Sequence, residues 1–286
     1  PYGSEAVWSG YEAVYHFNDD PTTIGNTIVD HTGKGKDLLV EVAALATTTG
    51  QLGTALDLSG SGILRDSDYT WTAGDRLTTS GWYFMTAASN ESLWHWGTAN
   101  QPNHIEFRPW YSGTNGLHYF GVTSGATYSI NPRDTVNWHH FTTLGATSTS
   151  ENNYVYEDGV QVESITQTVS DPSNSNVNGL QIGRDGTGGS IEAVADELRI
   201  ATTSRSEDWI EAEYSNQYTP TIFYATGTVE TYTPDTILDE ATHNISSGGS
   251  AFNDITFNDA TTSPAFAEPS VAVSYTHLTL PTTYGV

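Results

Sequence analysis

The chain has no cysteine, a single methionine, and 9 basic residues against 34 acidic ones in 286. Without cysteine there is no disulfide framework and no thiolate for covalent or metal chemistry. That does not exclude secretion, because a domain of this size needs no staples. The formal charge of −25 argues against nucleic acid and anionic membranes as partners, since both are held by clusters of Lys and Arg. No stretch approaches the ~20 apolar residues of a membrane span, so no membrane insertion is expected.

Several catalytic signatures are missing as well. No Gly-x-Ser-x-Gly elbow, His-Glu-x-x-His motif or glycine-rich phosphate loop occurs. The stretch GRDGTGG lies between two strand-like runs and opens no helix, so it reads as a hairpin turn. Nine histidines leave a Ser/His/acid triad open. The sequence begins at Pro1 without a Met or a leader. Residues 1–10 are therefore expected to be the end of a preceding domain or a linker.

What is abundant is Gly, Thr, Ser and aromatic residues, the composition of short strands joined by many turns. In YEAVYHFND, Ala13, Tyr15 and Phe17 alternate with Val14, His16 and Asn18, which predicts a strand. DHTGKGKDLL forms a tight loop around Gly33 and Gly35, flanked by Asp30 and Asp37. From ESLWHWGT onward, short strands recur at about 8–12-residue spacing. Asp158-Gly159 between alternating runs is the strongest hairpin signal. One helix is expected in SRSEDWIEAEYSNQY, from a capping pattern of Ser204 with Glu207. Its docking stripe would be Ile210, Tyr214 and Tyr218. Trp82 and Trp138 are assigned to the core.

The ordered motifs AVYHFND, DHTGKGKDL, GTALDLSGSG, LTTSGWYF, NWHHFTTL, VYEDGVQV, LQIG and VADELRIATTSRSEDWI together resemble a laminin G-like jelly roll. Such jelly rolls occur in surface proteins of the bacterial concanavalin A-like lectin/glucanase superfamily. The resemblance covers about residues 11–227. It implies an all-β fold: a two-sheet antiparallel jelly-roll sandwich with one short C-terminal helix. Trp138, His139 and His140, then Tyr156, Asp158 and Gly159, then Asp196, Glu197 and Arg199 match the family's fold-marking positions. After residue 227 the texture changes. Residues 228–271 read as a linker and the start of a second β-rich segment. The tail 272–286 resembles a translated sequencing adapter, which implies a non-native end on a metagenomic fragment.

The acid pair in VADELRIA raises the question of catalysis. By strict alternation Asp196 shares a face with Leu198 and Ile200, toward the core, and Glu197 points with Arg199. The two then do not converge on one substrate atom. Glycanases of the superfamily carry acids on alternate residues of one strand. SIEAVADELRI offers Glu192, Asp196 and Glu197 at the wrong spacing, so no enzyme activity is expected. The family also holds structural calcium where the first strand's loop meets the closing strand. Asp30, Asp37 and Asp196, with loop carbonyls, are the expected ligands of one Ca2+. In the alternative, Asp196 caps a backbone turn and the loop acids are solvated.

Sugar recognition needs flat aromatic rings beside polar groups. The densest such region is LWHWGTANQPNHIEFRPWYSG. It supplies Trp94, Trp96, His104, Arg108, Trp110 and Tyr111 as candidate ligand-binding residues, with Trp94 and Trp96 equally readable as core. Function is thus expected to be a non-catalytic carbohydrate-binding or adhesion module, extracellular or on a cell surface. Its partner would be a polysaccharide or cell-surface glycan. The alternative is a structural repeat unit of a surface or virion fibre without glycan binding; a glycoside hydrolase ranks below both.

Overall fold

The computed structural model describes residues 8–69, 76–97, 105–112, 115–120, 125–129, 135–146, 150–168, 179–184 and 189–220. The segments read as a linker, a second β-rich unit and a non-native tail lie outside these residues, as does residue 104. In chain order the first eight strands are β1 (Ala13–Tyr15), β2 (Thr27–Ile28), β3 (Leu38–Glu41), β4 (Ala46–Thr49), β5 (Thr54–Asp57), β6 (Ile63–Asp66), β7 (Arg76–Met85) and β8 (Trp94–Trp96). They are followed by β9 (Ile105–Ser112), β10 (Asn115–Phe120), β11 (Gly125–Ser129), β12 (His139–Ala146), β13 (Ser150–Glu157), β14 (Val160–Thr168), β15 (Leu180–Ile182) and β16 (Ala193–Ala201). A single described helix, α1 (Glu207–Tyr218), closes the set.

The strands build two antiparallel sheets. One runs β14-β13-β12-β7-β16-β5-β4, with β1 paired to β16; the other runs β11-β10-β9-β8-β15-β6-β3-β2. This is the expected jelly-roll sandwich. Register sorts the side chains, because residues directly opposite each other share a face. In the second sheet Val40, Leu64, Ile182, Trp94 and Phe107 stand in one row across the strands. All five lie in the inter-sheet core. They meet Tyr15, Tyr83, Phe141, Leu198 and Ile200 from the first sheet. The Asp158-Gly159 hairpin forms as expected: Glu157 pairs with Val160, and both turn residues take positive φ, 51° and 78°, as a type I′ turn requires.

The helix starts later than its sequence signal. Its N-cap is Ser206, whose side chain accepts a hydrogen bond from the Trp209 amide. The buried stripe is Ile210, Glu213 and Gln217, while Tyr218 stays 52% exposed. The stripe is polar because the helix docks on the outer, polar face of the first sheet. Ile210 packs with Leu144 and Tyr156. The Ser80 hydroxyl and the Arg199 guanidinium donate to Glu213, and the Trp82 indole donates to Gln217. Trp82 is fully buried, yet it lies under α1, against His140, Tyr214 and Tyr218. Trp138 is only half-buried, packed against Phe84.

Strict alternation fails on β16. Asp196 pairs with Trp82 and Arg199 with Ser80, so Glu197 and Leu198 together face Gly81. Glu197 takes φ of 54°, the left-handed first position of a bulge that glycine normally fills. Parity therefore shifts by one residue. Leu198 and Ile200 point into the core, while Asp196 shares the outer face with Trp82 and Arg199. A Cβ on Gly81 would sit 3.2 Å from the Phe141 ring and 3.3 Å from the Asp196 and Glu197 carbonyls, so a side chain there would press on the bulge.

Asp196 ends in a backbone turn: its Oδ2 accepts from the Leu52 amide at 2.8 Å in the β4–β5 connection. Its Oδ1 is buried without a partner. Burial pushes this carboxyl up from 3.8 to about 7, with the nearby Glu197 charge adding and the Leu52 amide opposing. Burial also pushes the His140 imidazole down to about 4, so it is neutral in the fold.

Two outcomes follow for stability. Replacing Ser206 with Ala removes the cap and should lower unfolding stability by about 1 kcal/mol, measured by urea denaturation at pH 7. The folded Asp196 keeps its proton up to about pH 7, while the unfolded chain releases it near pH 4. The stability it contributes is complete below pH 4 and lost as pH rises through 7. The neutral Asp196→Asn variant should therefore gain on wild type between pH 5 and pH 8, by up to about 3 kcal/mol. Scanning calorimetry at both pH values checks this, and a difference that is the same at pH 5 and 8 would contradict it.

Candidate functional site

The outer face of the second sheet carries a polar row. Leu39, Arg65, Gln181, His95 and Glu106 stand opposite one another on β3, β6, β15, β8 and β9. His95, Glu106 and Gln181 are buried there, although they face away from the core. The His95 ring bonds the Arg184 carbonyl at 2.9 Å, and Arg65 pairs with Glu41 at 3.2 Å.

Arg108 occupies the same face two residues beyond Glu106. Its Nε donates to Glu106 Oε2 at 3.0 Å and its Nη1 to the Asn90 carbonyl at 2.6 Å. Ser92 donates to the same Glu106 oxygen at 2.6 Å. A guanidinium bonded at two of its nitrogens keeps a fixed plane. After Arg108 the strand bulges. Arg108 pairs with Leu117 and Ser112 with Asn115, so Pro109, Trp110 and Tyr111 together oppose Gly116. Proline has no amide proton for the ladder, and bulges are where strands tolerate it. The bulge separates the two aromatics. Trp110 is half-buried and packs on the inter-sheet core, whereas Tyr111 lies beside the Arg108 guanidinium, 5.7 Å from ring centroid to carbon.

Of the six residues expected from sequence to bind a ligand, the fold brings Arg108 and Tyr111 together. Trp110 adjoins them from the core side. Trp94 and Trp96 are fully buried, and the Trp96 indole is spent on the Tyr69 carbonyl at 2.9 Å; they are core residues. His104 lies outside the described residues. Sequence reasoning missed Asn90, Ser92 and Glu106, which hold Arg108 in position. The i, i+2 charge pair in IEFR was the available signal, since strand residues two apart share a face.

The three acids expected to hold calcium do not form one group. Both oxygens of Asp30 are occupied: Oδ1 accepts from the amides of Val14 and Thr32, and Oδ2 from the Thr32 hydroxyl and the Lys36 amide. Asp37 accepts from the Asp30 amide at 2.8 Å. These acids shape the loop as backbone acceptors, and Asp196 is engaged with Leu52. Among the described residues no three His, Asp or Glu side chains are grouped as a metal site.

Glu197 is equally committed. It accepts from the His16 ring at 2.6 Å and from Arg199 at 2.7 Å, and Arg199 donates on to Glu213 at 2.8 Å. Burial raises the Glu197 carboxyl, but His16 and Arg199 outweigh it and hold it below its ordinary value. Asp196 and Glu197 are 1% and 6% exposed, and neither opens onto a groove.

The sequence matches no protein-family profile and no curated protein. The fold has solved counterparts. Domain 4 of an extracellular arabinanase from Geobacillus stearothermophilus, solved in complex with arabinotriose, is similar with a TM-score of 0.56 at 20% identity, over 70% of this chain and 96% of that domain. A sialidase of Trypanosoma rangeli matches at 0.51 and 11% identity, over 74% of this chain and 33% of the sialidase. The botulinum neurotoxin type G receptor binding domain matches at 0.51 and 12% identity, over 73% of this chain and 51% of its own. At these identities the likeness is one of fold: a β-sandwich jelly roll.

Proposed function

We propose that this chain is a non-catalytic carbohydrate-binding module of a secreted or cell-surface protein. The observation that carries the reading is the Arg108–Tyr111 pair on the outer face of the second sheet. A sugar ring stacks its C–H face on an aromatic side chain while a fixed polar group reads its hydroxyls. Tyr111 offers the ring, and Arg108, anchored by Glu106 and Asn90, offers the polar group at fixed orientation.

Two further points support the reading. One structural counterpart was solved with arabinotriose bound, and another is the receptor-binding domain of a toxin. The adjacent acids Asp196 and Glu197 are buried and tied to Leu52, His16 and Arg199. Retaining hydrolysis would need two carboxyls facing each other about 5–5.5 Å apart across an open cleft.

A glycan array followed by calorimetry on the best binders tests the proposal. Wild type should bind at least one oligosaccharide saturably. Tyr111→Ala should weaken that binding tenfold or more, about 1.4 kcal/mol, with an unchanged circular dichroism spectrum. Absence of any glycan binding by the wild type would leave the spacer reading in its place.

A further inference from the structure

At the rim where β1 leaves the first sheet, two imidazoles lie against each other at a tilt. His16 follows β1 and His31 lies in the β2–β3 loop; their ring centroids are 4.5 Å apart, at 54°. We propose that His16 and His31 form a two-imidazole site for a borderline divalent ion, Zn2+, Ni2+ or Cu2+, with Glu197 orienting His16 from behind.

Three independent features point there. The first is the tautomer of His16. The ionised Glu197 carboxylate can only accept, so His16 donates its Nδ1 proton across 2.6 Å, which leaves Nε2 as the ring nitrogen that can turn to an ion. A carboxylate behind the ring is the usual partner of a metal-binding histidine, because it fixes the ring and raises its basicity. The second is His31, whose Nε2 is buried with no hydrogen-bond partner. A buried nitrogen without a partner calls for one. The third is spacing. Two imidazoles bound side by side to one ion at about 2.1 Å bring their centroids to about 4.5–5 Å, the separation present here.

Backbone strain marks the same place. Phe17, the residue after His16, has φ of 53°, and Glu197 has φ of 54°. Both are non-glycine residues in the left-handed region, which costs of order 1–3 kcal/mol each. The bulge at Glu197 is what turns its carboxylate onto His16. Local charge favours a cation too: Arg199 faces both Glu197 and Glu213, which leaves one negative charge in excess. The His16 side chain is 23% exposed, so an ion has a way in. Imidazole suits zinc, nickel and copper rather than calcium; with two protein ligands, water fills the remaining positions. Such an ion would tie β1, the β2–β3 loop and β16 together at one edge of the sandwich.

Calorimetric titration with ZnCl2 and with CuCl2 tests the site, alongside electron paramagnetic resonance of the copper form. Wild type should bind one ion per chain, and the copper spectrum should show two imidazole nitrogens. His31→Asn, on a partly exposed loop, should weaken binding at least tenfold and reduce the spectrum to one nitrogen. His16→Gln should weaken it similarly, and Glu197→Gln by about 10- to 100-fold. Saturable binding absent from the wild type, or equal affinity and an unchanged spectrum in His31→Asn, would overturn the proposal.

Discussion

A guanidinium inside a protein is costly unless every charge around it is matched, and Arg199 sits under that constraint. It lies between Glu197 and Glu213, at 2.7 and 2.8 Å, with the Trp8 ring 5.0 Å away on another side. Those contacts join four parts of the chain: the closing strand, the helix, the first strand through His16, and the segment that precedes it. Removing either acid would leave the buried Arg199 charge short of a partner. Helix α1 has little reason to dock through apolar contact alone, since two of its three buried residues are Glu213 and Gln217. The guanidinium gives it one. Burial alone would ease the proton off Arg199, but Glu213 and Glu197 more than reverse that and hold its pKa well above the ordinary value.

The bulge at Glu197 is the local answer to the same demand. An unbroken β16 would send Asp196 inward with Leu198, placing a carboxylate in a core of Trp94, Phe107 and Phe141. Inserting one residue opposite Gly81 moves Asp196 to the face shared with Trp82. It also aims Glu197 at both His16 and Arg199. The strain of a non-glycine residue at positive φ is offset by two charge-assisted hydrogen bonds. The cost that remains falls on Asp196, whose carboxyl burial pushes toward neutrality despite its backbone amide partners.

How much of this was legible in the sequence can be judged residue by residue. Alternation in YEAVYHF, the Asp158-Gly159 turn and the spacing of the short strands gave the sandwich correctly, because those signals depend on local geometry. The same rule misread Asp196: period two holds only while the ladder is regular, and nothing in DELRI announces a bulge whose cause, Gly81, is over a hundred residues away. The capping pattern points to Ser204 through Glu207 three residues on, whereas the contact that decides is the Trp209 amide to the Ser206 hydroxyl. At the candidate site, Arg108 and Tyr111 were named for their chemistry. What separates Tyr111 from Trp110 is an irregular pairing with Gly116, a long-range fact. Trp94 and Trp96 could be read either way, and the row they form with Ile182 and Leu180 decides for the core.

The two outer faces divide the work of the molecule. On the first sheet, charge is enclosed: Arg199 and its acids lie beneath α1, and the face is closed by Trp82, His140 and Tyr214. On the second sheet, charge is paired in place: Arg65 with Glu41 and Arg108 with Glu106. With −25 over the whole chain, a polyanion is held off at a distance, and these two arginines are already partnered. A ligand suited to that face therefore gains little from net charge. An uncharged sugar, the ligand proposed for that face, would gain from shape against Tyr111 and from hydrogen bonds to groups that cannot turn away. The same pairing explains why so acidic a chain can offer a guanidinium without attracting its own carboxylates from elsewhere. Arg108 is held locally, by Glu106 and the Asn90 carbonyl, before any distant acid can compete.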